Sequence, residues 1–146
     1  MNRRTRTLLL LPVLALCLFL AWLWYNLLSP WGYKAPSGLP VVIPTEEYRV
    51  FVYGTLTQGW VRWLVTGEQI DTRPAQLQGY YRDGLNLVPQ AGAHTPGQLM
   101  IVTGENLIDL DRYERLGIRY ERTEMTLADG QSAWVYTRLP MVLETR

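Results

Sequence analysis

Apolar residues are arranged in two different ways along this chain. From Leu8 to Leu28 they form one nearly unbroken run, with Asn26 near its end as the polar exception. After residue 46 they recur in short bursts separated by Gly, Pro and charged residues. The first run, about 21 residues, makes a helix about 31 Å long at about 1.5 Å per residue. That length crosses a hydrocarbon core of about 30 Å. Pro12 falls in its first turns, where a missing N–H costs least. Trp22, Trp24, Tyr25, Trp31 and Tyr33 gather at its far end, where an aromatic belt belongs.

The bursts after residue 46 read mostly as strands. Tyr48–Thr55 is apolar and β-branched, with Arg49 its one charge, and suits a central strand. Gly59–Gly67 suits a short helix, with Val61, Leu64 and Val65 at helical spacing. Ala75–Tyr81 alternates as a strand, Leu85–Val88 reads as another, and Leu99–Val102 as a short buried one. Residues 91–97, Ala-Gly-Ala-His-Thr-Pro-Gly, read as a loop by composition. Glu105–Leu116 predicts a helix with Leu107, Leu110 and Tyr113 on one face and Gly117 as its stop. Tyr120–Leu127 and Ser132–Arg138 flank Asp129-Gly130, a strong hairpin turn. The order of strand, helix, several strands, helix and hairpin predicts an α+β domain with a mainly antiparallel or mixed sheet.

Charge refines this division. Arg3, Arg4 and Arg6 precede the apolar run, and positive charge stays on the cytoplasmic side. The expectation is a cytoplasmic basic tail at 1–6 and a transmembrane signal-anchor at 7–28. A linker rich in Pro and Gly follows at 29–45, then a domain at 46–146. The chain would then be a single-pass protein of the inner membrane, with its C-terminal domain on the periplasmic side. A cleaved signal peptide is the alternative, but its apolar core is shorter and ends in small residues. Cys17 follows bulky Leu16 and lies inside the apolar run, which suits packing better than lipidation. No cysteine follows it, so the domain has no disulfide. Beyond residue 40, ten basic residues face 13 acidic ones, a net of about −3. A mildly acidic domain without a basic run is a poor nucleic-acid binder.

Several short motifs stand in a telling order. Tyr53-Gly54-Thr55-Leu56 ends the first strand in a sharp turn, where Gly and a small hydroxyl residue expose backbone N–H groups. Gly97-Gln98-Leu99 opens a middle strand, and Leu110-Asp111-Arg112-Tyr113-Glu114 lies on the second helix. Tyr120-Glu121-Arg122 and Ala133-Trp134-Val135-Tyr136 lie in the last hairpin. In this order, over roughly residues 48–140, they resemble the gamma-glutamylcyclotransferase-like superfamily. The resemblance implies a small mixed, mainly antiparallel β-barrel with flanking helices, here preceded by one transmembrane helix. It implies release of 5-oxoproline from a small gamma-glutamyl peptide or amine, with Glu114 as general acid and base. Tyr53, Gly54, Thr55, Leu56, Tyr120 and Arg122 are the implied substrate-binding residues. The nucleophile belongs to the substrate, so the chemistry calls for no cofactor.

Each residue also has a plainer reading. Glu114 could be a solvated helix residue near Arg115 and Arg119. Arg122 could pair with Glu121 or Asp111, and Tyr120 could pack against the helix. His94 has no second His or Cys nearby, so metal ligation is not expected. Two departures from the family pattern bear on the substrate opening. Residues 82–89 lack the usual Tyr-Pro or Phe-Pro, and Gln98 stands where many members have Glu. The alternative function is a non-catalytic module on the same fold, tethered to the membrane and binding a ligand or a partner protein. A third reading is a structural membrane protein whose Trp60 and Trp63 form an exposed contact surface.

Overall fold

The computed structural model describes residues 3–27, 29 and 31–140. Met1, Asn2, Leu28, Pro30 and the expected end of the domain at 141–146 lie outside the described residues, as do the side chains of Arg3, Arg4 and Arg6. The chain divides into two compact units, 1–34 and 35–146.

The first unit contains helix α1, Arg3–Leu27. Among the described residues no helix is long and apolar enough to cross a membrane, so the spanning helix expected at 7–28 is not found. The described side chains of α1 run from Leu10 to Asn26.

The second unit holds β1 (Glu47–Val52), a single 3-10 turn at Thr55–Thr57, α2 (Gly59–Thr66), β2 (Thr72–Asp83), β3 (Asn86–Thr103), α3 (Gly104–Glu114), β4 (Tyr120–Thr126) and β5 (Ser132–Arg138). The strands form one mixed sheet in the order β2-β3-β1-β5-β4. Neighbours are antiparallel except β1 and β5, which run parallel. The expected barrel is not closed. Its two edges meet at an isolated bridge between Leu77 and Leu127, beside a bond from the Ala128 N–H to the Gln76 carbonyl. Phe51, Leu77, Leu99, Leu127 and Val135 fill the core, each nearly inaccessible to solvent.

Residues 91–97 are strand, contrary to the loop their composition suggests. The cause is pairing. Leu77 lies opposite Thr95, Gln76 opposite Pro96 and Ala75 opposite Gly97, so β2 supplies the order that local propensity lacks. Gly97 has a specific task there. A Cβ at this position would lie 2.4 Å from the Val52 carbonyl oxygen and 2.5 Å from the Phe51 ring. Only glycine lets β3 pass so close to the end of β1.

Residues 36–44 follow the domain rather than hanging free. The Ile43 N–H donates to the Tyr48 hydroxyl (2.9 Å). The Ile43 carbonyl lies so close to Gly104 that a Cβ there would sit 2.0 Å from it.

Helix α3 begins under a side-chain cap, where Thr103 Oγ1 accepts from the Asn106 N–H (3.3 Å). Its end is decisive for the site. Gly117 predicts a stop near Leu116, but Arg115 turns left-handed first (φ 52°), so Glu114 is the last helical residue.

Candidate functional site

Glu114 therefore stands at the carbonyl end of α3, where the helix dipole disfavours a negative charge. Its side chain is largely buried, and burial raises its pKa from the ordinary 4.5 to about 7, with no cation opposing the shift. A carboxyl poised near neutrality suits a group that must both accept and return a proton. Three tyrosines share its surroundings. Tyr53, Tyr136 and Tyr120 all have raised pKa values, burial being the main cause in each and the Glu114 charge a contributor.

The turn after β1 reaches the end of α3. Thr55 Oγ1 and the Tyr113 hydroxyl are 3.3 Å apart, which joins the turn to the last residues of α3. The backbone of this turn is strongly one-sided, with every carbonyl from Tyr53 to Thr57 accepting a hydrogen bond. Arg82 Nη1 donates to the Tyr53 carbonyl. The Thr57 N–H and hydroxyl donate to that of Gly54, at 3.1 and 2.7 Å. The Gln58 N–H donates to that of Thr55 (3.0 Å). Arg62 Nη1 donates to those of Leu56 and Thr57, each at 2.9 Å. Among the described residues the N–H groups of Gly54, Thr55 and Leu56 donate to no protein acceptor. Successive unengaged N–H groups make an anion-binding concavity.

The gamma-glutamyl cyclotransferase, AIG2-like family model matches residues 50–145. The chain belongs to this family. Its fold is shared by solved structures of low sequence identity. A protein of Arabidopsis thaliana solved in solution is 24% identical, with a TM-score of 0.55; the match covers 68% of this chain and 66% of that one. An uncharacterized protein of Homo sapiens is 16% identical over 65% of this chain and 68% of its own, also at 0.55. A structure described as gamma-glutamyl cyclotransferase is 14% identical, at 0.52, over 64% of this chain and 68% of its own. No curated protein sequence matches the chain. Family membership carries a general gamma-glutamylcyclotransferase-like function.

Within this cyclotransferase-family domain the expected site residues separate into two groups. Glu114, Tyr53, Tyr120 and the turn Gly54-Thr55-Leu56 are brought together. Leu56 contributes backbone only, because its side chain is buried. Tyr53 is fixed at its far end, its hydroxyl donating to the Tyr136 carbonyl (2.8 Å) and to that of Leu85 (3.3 Å). Arg122 leaves the substrate-binding group. Its Nε and Nη2 donate to the two oxygens of Asp111, at 2.9 and 3.2 Å, and its guanidinium lies 4.7 Å from the centre of the Trp134 ring. With one edge on Asp111, one face on Trp134 and 5% of the residue exposed, Arg122 joins α3 to the last hairpin.

Gln98 is likewise a support rather than a lining residue. Its Oε1 accepts from Thr72 Oγ1 (2.9 Å) and from Arg62 Nη1 (3.5 Å). His94 lies in β3 opposite Gln78. Among the described residues no cluster of His, Cys, Asp and Glu is arranged to hold a metal. Sequence reasoning missed Arg62 and Arg82, whose partners are backbone carbonyls. Carbonyls carry no sequence signal, so only the family-like turn itself marked the place.

The Glu114 shift has a consequence for stability. Between about pH 4.5 and 7 the folded chain holds a proton on Glu114 that the unfolded chain releases. Its contribution is therefore full below about 4.5 and is lost as pH rises through about 7. Glu114→Gln, which cannot ionise, is expected to melt several degrees above wild type at pH 8 and level with it at pH 4. Thermal melts across that range check this, and a constant difference would remove the buried ionisation.

Proposed function

We propose that this chain is a gamma-glutamylcyclotransferase that releases 5-oxoproline from a small gamma-glutamyl amine or peptide, with Glu114 as its general acid and base. The observation that carries this reading is the largely buried, uncompensated Glu114 carboxyl beside a turn whose N–H groups are unengaged. The turn at Gly54-Thr55-Leu56 takes the substrate's α-carboxylate, and Tyr53 and Tyr120 flank the reacting atoms. The substrate's α-amine attacks its own γ-carbonyl carbon, forming the lactam C–N bond. Glu114 accepts the proton lost by that amine. It returns the proton to the leaving nitrogen as the original C–N bond breaks, giving 5-oxoproline and a free amine. No redox partner is needed, and the proton balance closes on one carboxyl group.

The test is 5-oxoproline release by the purified full chain from a panel of gamma-glutamyl amino acids, gamma-glutamyl amines and cell-wall gamma-glutamyl peptides. Turnover names the substrate class. Folded protein that yields no product across the panel overturns the enzymatic reading.

One observation favours the alternative of a binding module. Trp60 and Trp63 are 68% and 55% exposed and flank a cleft of about 460 Å³ that also includes Gln69 and Asp71. Saturable ligand binding with no product is the result that reading predicts. Placement at the inner membrane, with the domain outside, is proposed on the arginines and apolar run of residues 1–28 alone. Cell fractionation with protease access to intact cells checks it.

A further inference from the structure

The turn that offers its N–H groups is held from behind by two arginines. Arg62 reaches from α2 and Arg82 from β2, and together they engage the carbonyls of Tyr53, Leu56 and Thr57. Among the described residues neither meets a carboxylate. The remaining contacts of Arg62 are the Ile70 carbonyl (3.2 Å) and Gln98 Oε1 (3.5 Å). Arg82 Nε donates to the Gly84 carbonyl (2.6 Å), and its guanidinium lies 5.8 Å from the centre of the Tyr53 ring. Two cations thus sit on the carbonyl edge of the turn in a domain otherwise mildly acidic.

Their tasks differ. The C=O and N–H of a trans peptide point in opposite directions across a rigid plane. The peptides held by Arg62 at Leu56 and Thr57 carry the N–H groups of Thr57 and Gln58, which close the turn onto Gly54 and Thr55. The peptide held by Arg82 carries the Gly54 N–H, which has no protein acceptor. A cation on that carbonyl fixes the plane and polarises the N–H on its far side. Arg82 is exposed, unlike Arg62, and sits on the β2–β3 hairpin. The same hairpin supplies the Leu85 carbonyl to the Tyr53 hydroxyl, so it grips Tyr53 at both ends.

The geometry points to Arg82 as a positioning residue that aims the Gly54 N–H at the carboxylate of the bound ligand, with Arg62 holding the same turn closed. The identity of that ligand as the carboxylate end of a gamma-glutamyl group rests on the cyclotransferase reading. The role of Arg82 in carboxylate binding does not require turnover.

Amide NMR of the ¹⁵N-labelled full chain separates the two. The probes are 5-oxoproline and 2-pyrrolidinone, the same ring without its carboxylate. In wild type, 5-oxoproline is expected to shift the amide signals of Gly54, Thr55 and Leu56, and 2-pyrrolidinone to leave them in place. Arg82→Gln is expected to weaken 5-oxoproline binding at least about tenfold. Its spectrum should stay dispersed and its KM should rise, with kcat within about threefold of wild type. Arg82→Lys, which keeps a charged donor, should recover part of the affinity, and it substitutes for the Gln variant if that one fails to fold.

Unchanged 5-oxoproline affinity in Arg82→Gln overturns the inference, even if wild type turns over its substrate. Equal response to the two rings, or no response of the three amides in wild type, also overturns it. Arg82-dependent binding in a wild type without turnover keeps the inference and removes the enzymatic reading.

Discussion

Glu114→Gln is expected to lower 5-oxoproline release by roughly 10²–10⁴-fold, the range that a positioned general acid or base contributes. Gln matches Glu in size and keeps hydrogen-bonding atoms, but it neither accepts a proton from an ammonium group nor returns one to a leaving amine. The effect should fall on kcat, because the carboxyl acts on the reacting atoms rather than on the distant carboxylate. Wild-type kcat/KM should rise with pH through about 7 as Glu114 ionises, the value that burial sets. Turnover by Glu114→Gln at the wild-type rate would remove Glu114 from the chemistry. Loss of activity with no loss of folded structure would separate this role from a packing role.

Arg122→Ala carries the largest expected effect on stability, a loss of about 3–5 kcal/mol in unfolding free energy. The Asp111 carboxylate lies among buried groups, with Arg122 on both oxygens and the Tyr136 hydroxyl on one of them at 2.5 Å. Its side chain is 13% exposed and that of Arg122 1%. Removing the arginine leaves a buried charge with one neutral donor, and domains of this size have only about 5–15 kcal/mol in total. The ion pair itself is a different matter, since desolvation offsets much of its attraction. A triple replacement, Asp111→Leu with Arg122→Met and Tyr136→Phe, should therefore be more stable than Arg122→Ala. Denaturant titrations of the variants measure both effects. A cost below about 1 kcal/mol for Arg122→Ala, together with a raised KM, would return Arg122 to the ligand site.

The assignment of Arg122 shows where a linear reading stops. Arg122 follows a tyrosine by two residues in a strand, a pattern that serves substrate recognition and ion pairing equally well. What decides between them is the packing of α3 against the last hairpin, which brings Asp111 into reach of the guanidinium. Gln98 is similar, because its position after Gly97 was legible while its hold on Thr72 and Arg62 was not.

Local chemistry was sufficient for other features. Asp129-Gly130 turns the last hairpin because glycine accepts the left-handed conformation, and Gly130 has a φ of 83°. The helix at Gly104–Glu114 follows apolar spacing that one face of a helix can bury, whereas the helix at Gly59–Thr66 buries Arg62 with Val61 and Val65 and leaves Leu64 exposed. Residues 91–97 resisted the same treatment, because a strand of Gly, Ala, Pro and Thr is held by its partners rather than by its own preferences.

By itself the sequence determined the α+β class and the place of the Gly-Thr turn, which depend on residue types a few positions apart, while the candidacy of Glu114 came from the family resemblance of motifs spread over residues 48–140. Tertiary structure alone decided that the sheet stays open, that α3 ends on Glu114, and that Arg122 pairs inward while Arg62 and Arg82 face backbone carbonyls. These outcomes depend on contacts between residues far apart in the chain, and on carbonyl groups that every residue carries alike.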